Sequence, residues 1–182
     1  MRKQLFPIVY AANKMDIAPT GVLDAFSDRT MVACMADMEL ALRRAASSGL
    51  IDYHSGQAAF TVHSDASLSE PQQKALSHMN QRLGQAGGTG LARLMDDVLF
   101  DQLEHIVVYP VQDESHWVDG DGRVLPDAFV VPAGLHAKAL AGRVHTDLEA
   151  GFIRGVDGRT RRVVGADHEL ADGDVLKIHA KS

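Results

Sequence analysis

Asn13, Lys14, Met15 and Asp16 set an amide, a cation and a carboxylate side by side, at the end of the run "VYAANKMDIAP". That combination suits recognition of a guanine base. The guanine edge presents N1–H and the N2 amino group as adjacent donors, and one carboxylate accepts from both as a charge-assisted fork. Adenine lacks the pair and would leave Asp16 desolvated without a partner. A site of that kind discriminates by about 10⁴. Asn13 can bond both the base and neighbouring loop backbone, and the Lys14 stem can cover the base face. A solvated turn at a strand end is the plain alternative for the same four residues.

Such a loop needs a strand to carry it and a second loop to face it. Residues 5–12 are apolar throughout and predict a buried strand of a parallel sheet, covered on both faces. Residues 31–34, "MVAC", predict a second short strand. Residues 37–45 predict a helix with acids first and arginines last, the order the helix dipole favours. From 47 to about 69 the pattern dissolves into loops around a brief apolar piece at 58–62. Ser69 then caps a new helix that presents Leu76, Met79 and Leu83 on one face. "QAGGTG" ends it, and a further helix from Leu91 to about Leu103 carries Leu91, Leu94, Met95, Val98 and Leu99 as an apolar stripe.

Beyond His105 short strands dominate. They are predicted at 106–111, 127–131, 152–156, 162–164 and 175–179, with a helix over 137–145 and Asp-Gly turns between. One helix against several strands makes this an α+β domain.

Composition narrows the function classes. The 182 residues are 46% hydrophobic, 23% charged and 5% aromatic, as in globular chains whose core is mainly Leu, Val, Ala and Met. A net charge of −6 excludes a uniformly basic nucleic-acid binder. The single cysteine, Cys34, allows no internal disulfide and fits a reducing cytoplasm. No apolar run reaches the ~18 residues of a membrane span, so no membrane partner is expected. The start reads as no signal peptide. Nine histidines lack helix-borne zinc spacing, so no metal site is expected. Arg154, Arg159, Arg161 and Arg162 form the basic cluster, around a hairpin turn at "VDGRT". They could contact RNA phosphates, or simply be a solvated hairpin beside Asp157 and Asp167.

"VYAANKMDIAP" followed by "VACMADMELALRRAASSGLIDY" resembles the guanine-specificity motif and second base loop of P-loop GTPases, closest to the archaeal branch of the Obg-like, YchF-type proteins. "GGTGLARLMDDVLFDQLEHIVVYPVQDESHW", "DGRVLPDAFVVPAG" and "VHTDLEAGFIRGVDGRTRRVVGADHELADGDVLKIHA" continue it in order. The resemblance implies an α/β remnant of a GTPase sheet with its helices, followed by a β-grasp, ubiquitin-like TGS domain. It divides the chain into 1–46, the guanine-motif remnant; 47–104, a helical segment; and 105–182, the TGS domain. It makes Asn13 and Asp16 guanine contacts, packs Lys14 on the base, and points the Ala36 N–H at the guanine oxygen. Met35 departs from the pattern, standing where the family usually has a small hydroxyl residue. The intact motif implies GTP, with Mg²⁺ only where an upstream phosphate-binding part is present.

No G-x-x-x-x-G-K-[ST] occurs in the sequence, and "GQAGGTG" reads as a helix stop and restart. The chain is therefore expected to be the C-terminal part of a translation-associated GTP-binding protein, binding guanine without catalysing hydrolysis alone. A separate chain supplying the first half of the GTPase domain, and RNA or the ribosome, are the implied partners. The competing expectation is a stand-alone TGS interaction module.

Overall fold

The structure is a computed structural model describing residues 8–26, 31–125 and 127–181. The chain divides into two compact units, Met1–Gln102 and Leu103–Ser182.

In the first unit β1 (Tyr10–Ala12) and β2 (Met31–Ala33) pair in parallel, Ala11 opposite Val32. A 3₁₀ turn, Val22–Phe26, lies between them. Helix α1 (Ala36–Ser47) follows β2 directly, with Asp37 and Glu39 in its first turn and Arg44 in its last. Its inward residues Met38 and Leu42 join Met35, Ile51, Tyr53, Phe60, Leu76 and Leu83 in one core. Helix α2 (Glu70–Ala86) starts at Ser69, whose N–H and hydroxyl both donate to Gln72 Oε1, at 2.8 and 2.9 Å. It ends where Gly87 turns left-handed at φ 73°, a conformation glycine adopts without a Cβ penalty. Helix α3 (Leu91–Asp96) restarts the chain and runs into a π turn, Asp97–Gln102.

Three expectations change here. Residues 5–7 of the predicted buried strand lie outside the described residues, and Ile8 and Tyr10 are 63% and 37% exposed. A strand is buried on both faces only inside a covered sheet of several strands; among the described residues this sheet has two. The expected loops of 47–69 contain a short antiparallel pair, β3 (Ile51–Asp52) with β4 (Thr61–Val62). Tyr53 and Phe60 anchor it in the core. The helix predicted from Leu91 to about Leu103 is α-helical only to Asp96 and a π turn beyond it; of its stripe Met95 is exposed, and Leu91, Leu94, Val98 and Leu99 are half-buried.

In the second unit β5 (His105–Val111), β6 (Phe129–Pro132), β7 (Phe152–Asp157), β8 (Val163–Val164) and β9 (Val175–Ala180) form one sheet in the order β6-β5-β9-β7-β8. The central pair, β5 and β9, is parallel and the other pairs are antiparallel. Helix α4 (Ala137–Val144) buries Ala137 and Leu140 against Val108, Val131, Val164 and Leu176. Gly155 permits this packing, since a Cβ there would sit 2.8 Å from Val164 and 2.9 Å from Leu176. One helix over a mixed sheet whose first and last strands run parallel at the centre is the β-grasp-like arrangement expected. His145 ends α4 and starts the short α5 (Thr146–Ala150), its Nδ1 accepting the Asp147 N–H at 3.2 Å.

Candidate functional site: two loops at the end of a parallel strand pair

The parallel pairing places the residues after β1 and β2 side by side. The Cys34 N–H donates to Ala12 O at 2.8 Å, and the Met15 N–H donates back to Cys34 O at 3.1 Å. Asn13 then ties the loops together. Its Oδ1 accepts the Lys14 N–H at 2.8 Å and the Ala36 N–H at 3.0 Å. Two converging donors fix the amide orientation, so its NH₂ group is free to donate elsewhere. Lys14 takes a left-handed backbone, φ 62°, and its carbonyl accepts the Ile17 N–H at 3.2 Å. Asn13 and Lys14 are exposed and Asp16 is half-buried. Asn13 thus joins the Lys14 turn to the Ala36 N–H, and Asp16 follows Lys14 by two residues. The Ala36 N–H, expected to face a guanine oxygen, is donated to Asn13 instead. In the first turn of α1 the Asp37 N–H is then an orphan donor by helix geometry.

Met35 has no hydroxyl to cap α1, and its side chain is buried at 4% exposure, within the core. Its N–H donates to Thr89 O at 2.8 Å. Thr89 is fully buried, and its hydroxyl donates to Glu39 Oε2 at 2.6 Å. Tyr53 donates to the same oxygen at 2.7 Å, and Ser55 Oγ donates to Oε1. Burial pushes the Glu39 carboxyl up, but the bonds from Ser55, Thr89 and Tyr53, with the charge of Arg43, outweigh it and leave the pKa below the usual value. Burial, and then Glu39 itself, push the Tyr53 phenol up to about 12. Desolvation raises the Cys34 thiol, which is 2% exposed and therefore held in its unreactive form.

Sequence reasoning missed two contributors. Arg82, near the end of α2, donates from Nη2 to Asp16 O at 2.6 Å and to Met15 O at 3.4 Å. The Gly87–Gly90 turn, expected only as a helix stop and restart, also carries the Thr89 contact to the second loop. Contacts between positions 66 and 50 residues apart leave no local spacing to detect. A hollow of about 620 Å³ beside this site is lined by Met15, Met31, Arg82 and Gly88 but not by Asn13 or Asp16.

In the second unit the arginine cluster is divided. Arg159 Nε donates to Gly173 O at 2.9 Å, and its guanidinium sits 5.7 Å over the Trp117 ring. Trp117 Nε1 donates to Gly158 O at 3.2 Å, so the ring packs on the sheet. Arg161 donates to Ser115 Oγ and O. Lys177 pairs with Glu114 at 2.7 Å. Among the described residues no hydrogen bond holds the guanidinium of Arg154 or Arg162; the Arg162 N–H donates to Thr160 Oγ1 at 3.4 Å. No group of three or more His, Cys, Asp or Glu among them could hold a metal ion, and no helix is long and apolar enough to cross a membrane.

A parallel strand pair with a second loop facing the Asn-Lys-x-Asp turn, followed by a β-grasp-like sheet, is the architecture of a GTPase-like G4 domain joined to a TGS domain. Residues 11–113 match the family described as Obg-like GTPase YGR210-like, G4 motif-containing domain, and residues 122–180 match the TGS domain. The chain belongs to that Obg-like GTPase family. It is 37% identical over 98% of its length to an uncharacterized GTP-binding protein of Methanocaldococcus jannaschii, covering 46% of that protein. A GTP binding protein from Pyrococcus horikoshii, known from its crystal structure, superposes with TM-score 0.68 and 33% identity, over 99% of this chain and 47% of that one. The chain thus spans about half the length of these relatives.

Proposed function

We propose that this chain supplies the base-recognition end of a GTP site. Asp16 is the fork for guanine N1–H and N2, the Asn13 amide NH₂ donates to the base, and the Lys14 stem lies on its face. The Asp37 N–H, or the Ala36 N–H shared with Asn13 Oδ1, donates to the guanine oxygen. The observation that carries the reading is the Asn13 cross-link, which joins the Asn-Lys-x-Asp turn to the Ala36 loop. An amide held in place in this way lowers the ordering cost of binding. The nucleotide's phosphates and Mg²⁺ call for groups that these residues do not offer, so GTP hydrolysis belongs to an assembly in which another polypeptide segment holds them. Through its TGS domain such an assembly would act in translation, with Arg154 and Arg162 as the arginines open to RNA phosphate.

Titration of the whole chain with guanosine and adenosine, followed by amide NMR, tests the base site. Guanosine is expected to shift the resonances of residues 13–16 and 36–37, and adenosine to leave them unmoved. Asp16→Ala removes two charge-assisted bonds and should weaken guanosine binding at least tenfold, or about 1.4 kcal/mol. Equal response to both nucleosides, or a variant as good as the parent, refutes the assignment.

A further inference from the structure

We propose that Arg82 is a positioning residue for guanine recognition: with the Gly87–Gly90 turn it makes the end of α2 a brace behind both base loops. This rests on the guanine-site reading above. The Asn-Lys-x-Asp turn is a strained piece of chain. Lys14 holds φ 62°, a conformation costing a non-glycine residue about 1–3 kcal/mol unless its surroundings over-determine it. Asn13 holds the start of the turn through Lys14 N–H. Arg82 holds the end, through the carbonyls of Met15 and Asp16. With both ends fixed, the Cα–Cβ bond of Asp16 leaves the backbone in one direction, which narrows where its carboxylate can reach, and a two-pronged fork works only in one direction.

The second loop is held by the same piece of chain. Gly87 and Gly88 turn it back, the Gly88 N–H closing on Leu83 O at 3.1 Å. Thr89 O then accepts the Met35 N–H, one residue before Ala36. Gly90 presses its backbone on the end of β2, where a Cβ would lie 1.8 Å from Ala33 O. Eight residues separate Arg82 from Gly90, so a shift of α2 moves both contacts together. Whatever displaces α2 therefore changes base affinity.

The test uses the full chain as the parent, Arg82→Ala and Arg82→Lys, and two readouts. The first is the ratio of guanosine to inosine affinity by NMR titration; inosine lacks the N2 donor, so the ratio reports how well Asp16 is aimed. Arg82→Ala is expected to lower the ratio about tenfold, and Arg82→Lys to restore part of it by reaching Asp16 O alone. The second is amide exchange without nucleoside. Met15 and Ile17 should exchange at least tenfold faster in Arg82→Ala, while the amides around Leu42 keep the parent's rate, which separates release of the loop from loss of the fold. Unchanged exchange at Met15 and Ile17 overturns the brace whatever the nucleosides do. An unchanged ratio in a parent that binds guanosine overturns it as well. If the parent binds neither nucleoside and Met15 and Ile17 are still released, the brace stands and the guanine reading falls.

Discussion

Glu39 is 4% exposed yet ionised, and what keeps it so can be measured. Its Oε2 takes hydroxyl bonds from Tyr53 and Thr89, and its Oε1 takes one from Ser55. Glu39→Gln preserves shape and removes the charge. The amide oxygen keeps Tyr53 and Thr89 as neutral bonds, and the NH₂ group meets Ser55, whose hydroxyl must turn from donor to acceptor. Converting three charge-assisted bonds to neutral ones costs about 1 kcal/mol each. The relieved desolvation of the carboxylate returns part of that, for a net loss of about 2 kcal/mol near pH 7. The pH dependence follows from the folded pKa lying below the unfolded one. The carboxylate's contribution is full above the unfolded value, about 4.3, and fades as pH falls through the lower folded value. Parent and variant should therefore converge in acid, because a protonated Glu39, like the amide that replaces it, makes only neutral hydrogen bonds. Urea unfolding by far-UV circular dichroism, stepped from about pH 7 to about pH 3, reads the difference. Trp117 is the single tryptophan and lies in the second unit, so its fluorescence transition should stay put. Equal stability at neutral pH refutes the reasoning, as does a gap that persists undiminished in acid.

Two further substitutions probe the packing. Gly90→Ala places a methyl against Ala33 O at a position with φ +82°, and should destabilise the first unit by at least about 2 kcal/mol, seen as an earlier helical transition with the Trp117 signal unmoved. Arg159→Ala removes the bond to Gly173 O and the cation over Trp117; the second unit should lose about 1 kcal/mol, and the Trp117 emission should shift to the red.

The elements that the sequence foretold best are those whose signals are local. Ser69 with Gln72 marked the start of α2, Gly87 its end, and the acids before arginines marked α1. The strands of the second unit came from short apolar runs between Asp-Gly turns, and each was found within two or three residues. Failures came where tertiary context decides. An apolar run at 5–12 reads as buried because apolar residues usually are, but burial of a parallel strand is a property of its neighbours. Tyr53 and Phe60 could order 47–69 only through a core assembled from α1 and α2, which no window of that segment contains. The four arginines looked equivalent along the chain. Arg159 and Arg161 are spent on Gly173 and Ser115 because the turn folds back onto those loops, and only three-dimensional proximity separates them from Arg154 and Arg162.

The site divides in the same way, and the division says which of its properties can drift independently. On the proposed reading, base identity is a matter of which atoms face the ligand, so Asn13, Lys14 and Asp16 must occur together in one turn and can be read as a motif. Aim is set by whatever holds that turn from behind: Arg82 binds backbone carbonyls and Thr89 O binds a backbone N–H. A contact to main chain places no demand on the side chains it supports, so Met35 can replace a hydroxyl residue while its N–H is still held. Its apolar side chain turns inward to the core, and Thr89 carries its hydroxyl to Glu39 instead. The second loop is thus held by Thr89 O without the capping side chain that the family pattern leads one to expect.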